Sequence, residues 1–304
     1  MNDEENLQTA SPASALKLSP RWLFCSLAAI FLVLWWSPLA ATFSLSIHDD
    51  QYTHILLILP ISAALILLDW NSQDVLTRLS LPIALLILAA VLSNFILGRT
   101  GTLPADILLS LQMLTFVVSC MAAFVLCFGT RAFHKLLFPL LFLLLLVPFP
   151  GFVVNAIVSL LQHSSAATAH AIFILARVPV EQRGLLIHIP DLTLEVAPEC
   201  SSIRSSLVLI VTTMVLAHLL LRTWWRKLLL IALAIPLAVA KNGLRIFVLG
   251  FLAIRVDRGY LFGRLHHQGG FVFFLIALAG VFLALWILRK SEIKQATNRN
   301  RIPA

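Results

Sequence analysis

Three places in the second half of the chain carry residues able to do chemistry: Cys200, the pair Asn242 and Arg245, and the pair His266 and His267. Cys200 lies in Val196-Ala197-Pro198-Glu199-Cys200-Ser201-Ser202, where a polar stretch meets the start of an apolar helix. Ser201 and Ser202 are suited to cap the first free N–H groups of that helix. The positive end of a helix lowers a thiol pKa, and the thiolate is the form that attacks a carbonyl. The alternative is a structural cysteine at a helix start. Asn242 and Arg245 are three residues apart, which puts them on one helix face, and Lys241 adjoins them. An ionisable group inside a span costs roughly 2.5 to 3.5 kcal/mol on insertion scales, so it normally faces protein or a water cavity. Arg245 is therefore either a fork for a carboxylate or carbonyl oxyanion, or a polar clamp between helices. His266 and His267 precede Gly269-Gly270 and offer a base near neutral pH, although a histidine pair at a membrane interface is more often merely polar.

The remaining chemistry-bearing residues point elsewhere. Cys25, Cys120 and Cys127 lie within apolar runs without metal-ligand spacing and read as buried thiols. His163 and His170 share a helix face but sit about two turns, roughly 10 Å, apart, too far for one metal ion. No metal site is expected, and His134, His188 and His218 receive no role. Glu199, beside the cysteine, either contacts substrate or is solvated, with solvation favoured.

The elements that position these residues are membrane helices. The chain is 60% hydrophobic, more apolar surface than one soluble core can bury. Its net charge of +8 is scattered between apolar blocks, which argues for membrane orientation and against nucleic acid. Residues 1–21 read as a cytoplasmic tail, 22–288 as a single transmembrane domain and 289–304 as a basic cytoplasmic tail. Spans are expected over 22–43, 54–68, 81–97, 106–128, 135–148, 203–221, 228–254 and 269–288. The stretch 152–177 carries Asn155, Ser159, Gln162 and His163 on one face, and reads as an interfacial amphipathic helix.

From 178 to 197 the period becomes two: Leu192, Leu194 and Val196 alternate with Thr193, Glu195 and Ala197, and Pro190-Asp191 supplies a turn. A small extracytoplasmic hairpin fits, placed to pair with an extended peptide beside Cys200. The expected fold is thus an all-α polytopic membrane protein of about eight transmembrane helices, with that short interfacial helix and the hairpin. With 152–177 not crossing, both termini and the Arg222-to-Lys227 loop fall on the cytoplasmic side, as the positive-inside rule requires.

These residues resemble the exosortase and archaeosortase family of membrane cysteine transpeptidases. Tyr52-Thr53-His54 with Leu59-Pro60 is similar to the family's early pattern, and Phe138-Pro139 with Val147-Pro148 to a mid-chain signature. Val196-Ala197-Pro198-Glu199-Cys200-Ser201 resembles the nucleophile motif, and Asn242-Gly243-Leu244-Arg245 the Asn-x-x-Arg motif of a late span. His266, four residues before Gly270, matches His-x-x-x-Gly, with Phe271 in place of the usual Trp and His267 as the alternative. Ser202 stands where the family commonly has Gly.

The resemblance implies that Cys200, Arg245 and His266 are catalytic, with Asn242, Glu199 and His267 near the substrate. It implies a bacterial inner-membrane enzyme without a cofactor, acting on exported proteins that carry a C-terminal sorting signal: a Pro-Glu-Pro-like motif, an apolar span and a basic end. Membrane lipid is the other expected partner. The rival readings are a transporter of an anionic solute or lipid-linked intermediate, with Cys200 incidental, and a noncatalytic membrane assembly subunit. No internal repeat supports a transporter built from two halves.

Overall fold

A computed structural model describes residues 19–70, 80–190, 192–196, 203–257 and 270–299, apart from the side chains of 100 and 296–299. The first apolar block is two helices, α1 (Pro20–Leu34) and α2 (Trp36–His48), bent by 74°. Pro38 explains the bend, because a proline ring clashes with the carbonyl four residues earlier, here that of Leu34, and has no N–H to offer it. The Asn94 side chain donates to the Leu34 carbonyl at 3.4 Å. Trp35, wholly buried at the corner, packs between Phe31 and Phe116 and donates its indole N–H to Thr115 Oγ1 at 3.1 Å.

Two further apolar blocks are short. α3 (Ile55–Asp69) has 15 residues, and α6 (Leu137–Phe142) continues only through a 3-10 turn, Leu143–Leu146. α3 rises about 22 Å, less than the roughly 30 Å of a bilayer core. These short helices pack on one another, and Ser62 Oγ donates to the Pro139 carbonyl at 2.8 Å.

Among the described residues, six helices are long and apolar enough to cross a membrane: α4 (Leu81–Thr100), α5 (Ala105–Lys135), α7 (Gly151–Leu175), α8 (Ile203–Leu220), α9 (Trp224–Arg255) and α10 (Gly270–Arg299). The bent pair makes seven if it counts as one span. This differs from the expected set of about eight at three places. The blocks at 54–68 and 135–148 form helices too short to pass by length. The stretch expected to be a short interfacial helix is α7, 25 residues long, and it packs along α9. The stretch expected to be a basic tail, after 288, is helical through Arg299.

α7 buries Val154, Val158, Leu161, Gln162, Ser165, Ala166, Ala169 and Phe173, a single face at helical spacing. Asn155, Ser159 and His163 are exposed, so Gln162 is the one member of the expected polar quartet turned inward. Two glycines set the approach of α9. A Cβ on Gly243 would lie 2.5 Å from Thr168 Cγ2, and one on Gly250 would lie 2.6 Å from Leu194 Cδ1 and 2.9 Å from the Phe173 ring. Thr168 and Phe173 thus follow Gly243 and Gly250 in chain order, and α7 and α9 run in the same direction here.

Above this pair the chain forms three short antiparallel strands, β1 (Glu181–Arg183), β2 (Leu186–Ile189) and β3 (Leu192–Glu195), in the order β1-β2-β3. The expected two runs around Pro190-Asp191 are β2 and β3, and β1 adds a third. Ile187, Ile189 and Val196 pack with Ala166, Ala169 and Phe173 of α7 and Ile246 of α9, so the sheet is seated on both helices.

Candidate active site

The segments that carry Glu199 and Cys200 (197–202) and His266 and His267 (258–269) lie outside the described residues. The residues on either side of them are described. Val196, buried, donates its N–H to the Leu185 carbonyl at 3.0 Å and accepts at its own carbonyl from Gln162 Nε2 at 2.8 Å. Cys200 follows four residues later. On its other side Ile203, three residues on, packs in the core with Tyr52, Ile55, Val154, Val158 and Leu161. Arg204 Nη1 pairs with Asp50 Oδ1 at 2.7 Å. The residues flanking 197–202 are therefore both held by α7, joined by Leu185 just before β2 at Val196 and by the 49–54 turn at Ile203 and Arg204.

That turn is itself anchored. Tyr52 Oη donates to the Phe149 carbonyl at 3.0 Å. Burial, then the charges of Asp49 and Asp106, push the Tyr52 phenol up from its ordinary pKa, so it stays a donor. The lead into α7 is fixed from α5, where Ser110 Oγ donates to the Pro148 carbonyl at 2.7 Å and Asp106 Oδ2 accepts from the Gly151 N–H at 2.8 Å.

α9 brings the buried polar residues. Lys241, Asn242 and Arg245 are 4%, 0% and 9% exposed, so all three are inside the protein and away from lipid. Lys241 Nζ donates to Ser205 Oγ on α8. Ser205 is in the first turn of α8, five residues after Cys200 in the chain, so the polar step of α9 is at the end of α8 that the 197–202 segment leads into.

α10 runs antiparallel to α9. Its Glu292 accepts from the N–H of Thr223 at 2.7 Å, while a Cβ on Gly280 would touch Leu237 Cδ2 at 3.1 Å. Ten residues further back, about 15 Å along the helix, Gly270 reaches the level of Arg245, which is about 12 Å beyond Leu237. Val196, the start of α8, Arg245 and the start of α10 are thus gathered at one end of the bundle.

Of the residues expected in the site, the described ones, Asn242 and Arg245, are buried there. Gln162, Asp50, Arg204 and Ser205 are additional. Gln162 had a sequence signal, its place on the polar face of an amphipathic stretch. The Asp50 to Arg204 pair, 154 residues apart, had none.

A bundle of lipid-length helices that buries Lys241, Asn242 and Arg245 defines a polytopic membrane protein with an embedded polar cluster. The chain belongs to the transmembrane exosortase family (Exosortase_EpsH), whose family model it matches over residues 35–283. That family is one of cysteine-peptidase-like sorting proteins acting on exported proteins. No curated protein and no solved structure matches the chain significantly.

Proposed function

We propose that this exosortase is a cysteine transpeptidase or endopeptidase that removes the C-terminal, PEP-CTERM-like sorting signal of exported proteins through an acyl-enzyme on Cys200. The observation that carries the reading is the burial of Arg245 and Asn242 on α9 at the end of the bundle where the Cys200 segment is tethered on both sides. The Cys200 thiolate attacks the scissile carbonyl while the guanidinium of Arg245 stabilises the oxyanion. His266, with His267 as its alternative, takes the thiol proton and returns it to the leaving amine. Asn242 and Glu199 orient the substrate. Water or an acceptor amine then resolves the thioester and frees the thiol.

The domain is a single unit over 22–288 in the bacterial inner membrane, with about eight crossings when the bent pair counts as one, the short helices α3 and α6 are included and α7 is not, and with the site on the extracytoplasmic side. A substrate held by its own membrane anchor then presents its scissile bond at that surface. The test is to express the wild type and Cys200→Ala with a tagged protein bearing a sorting signal and to read anchor removal by intact mass. Removal by the wild type alone is the expected result; equal removal by both overturns the nucleophile assignment.

A further inference from the structure

Among the described residues the sheet ends on an open edge, and the chain runs on from that edge into the segment carrying Cys200. β3 is an outer strand. The Val196 N–H is spent on Leu185, and the register pairs Leu194 with Ile187 and Leu192 with Ile189. In an antiparallel ladder, hydrogen-bonded and non-bonded pairs alternate. Residues 192, 194 and 196 therefore direct their backbone groups at β2, while Thr193 and Glu195 direct theirs outward. Neither lysine nor proline, the usual blunting residues of an edge, is present in β3.

The strand is also firmly seated. Leu192 and Leu194 pack onto the cluster containing Ile187, Ile189 and Phe173, so replacing them would test packing and not recognition. The close approach at Gly250 and the Gln162 bond to the Val196 carbonyl hold β3 and its exit.

We infer that β3 is the docking edge for substrate: an extended segment of the exported protein adds to it through the backbone groups of Thr193 and Glu195. Strand addition supplies main-chain hydrogen bonds to a peptide of loosely defined sequence. Glu195 is five residues before Cys200, at most about 17 Å of extended chain, so a peptide running along the edge reaches the thiol with few further residues. The inference rests on Cys200 as nucleophile for its register, while docking itself is a separate event.

Thr193→Pro and Glu195→Pro each remove an outward N–H without costing a backbone bond to β2, whereas Thr193→Ala and Glu195→Ala keep the amide; both Thr193 variants lose the same side-chain bond to His188 Nδ1, so that loss cancels between them. Anchor removal should fall at least tenfold in both proline variants at wild-type thermal stability, and stay within threefold in the alanine variants. Proline variants that are as stable as wild type and process normally overturn the proposal. A proline variant that fails to fold is replaced by the wild-type enzyme with sorting-signal peptides N-methylated at single positions. Sensitivity at every second position supports edge pairing, and uniform insensitivity overturns it. In the Cys200→Ala background, Thr193→benzoylphenylalanine should photocrosslink to the tagged substrate in membranes, and absence of that crosslink counts against docking. Because crosslinking needs no turnover, a wrong nucleophile and a wrong docking edge give different results.

Discussion

The two ends of the helix bundle bury charge in different settings. At the end where α8 turns into α9, Arg226, only 2% exposed, meets the Glu292 carboxylate at 3.3 Å and also donates to Gln295. Glu292 accepts from Arg222 and Thr223 as well, and His218 pairs with Asp69 at 3.0 Å while stacking on Phe138. Carboxylates there answer cations within the chain, which is how a buried ion avoids the cost of desolvation. At the other end, Lys241 and Arg245 lie one helical turn apart on α9, and Lys241 donates to the hydroxyl of Ser205. Like charges that close are unfavourable for stability alone. The Arg226 to Glu292 pair locks the bundle, whereas Arg245 is the cation that the proposed function assigns to the site.

Substitutions at the two ends should separate these roles. The largest effect on activity is expected for Arg245→Lys, which keeps the charge but loses the planar fork: processing should drop by about a hundredfold, roughly 2.7 kcal/mol, with little change in thermal unfolding. Retained processing would reduce Arg245 to a structural cation. Glu292→Ala should do the reverse, because it leaves Arg226 buried without its carboxylate. A loss of roughly 3 kcal/mol in stability is expected, with near-normal processing per folded molecule, read by thermal unfolding in detergent beside the processing assay. The smallest effect is expected for Asp50→Asn, since the pair with Arg204 is largely exposed. Its stability cost should stay below about 1 kcal/mol, and a processing loss of less than threefold would mark the pair as a tether supported by the core packing of Ile203.

Much of the fold was legible in the residues themselves. Composition and apolar blocks specify a polytopic membrane protein, because only closed backbone structures survive in lipid. The three-residue spacing of Asn242 and Arg245 predicts a shared helix face, and both are buried on α9. The switch from a period near four to a period of two marked the strands before Cys200. The first apolar block carried its own signal for a bend, Pro38, which a count of hydrophobic residues passes over.

Other features were decided only by the tertiary structure. Hydropathy reports how apolar a segment is, but not which way a helix is turned or what it meets. So Gln162 read as one of four residues on a polar face, and only the tertiary structure shows it buried and holding the Val196 carbonyl. The basic stretch after 288 read as a tail because its hydropathy falls, and only the structure shows that it is helical through Arg299, with Glu292 bonded to the turn before α9 and Gln295 to Arg226 in the first turn of α9. The tether from Asp50 to Arg204 and the bond from Lys241 to Ser205 join helices distant in the chain. Local pattern determined which residues could serve a site; the rotation and contact of helices decided which of them are brought to the same end.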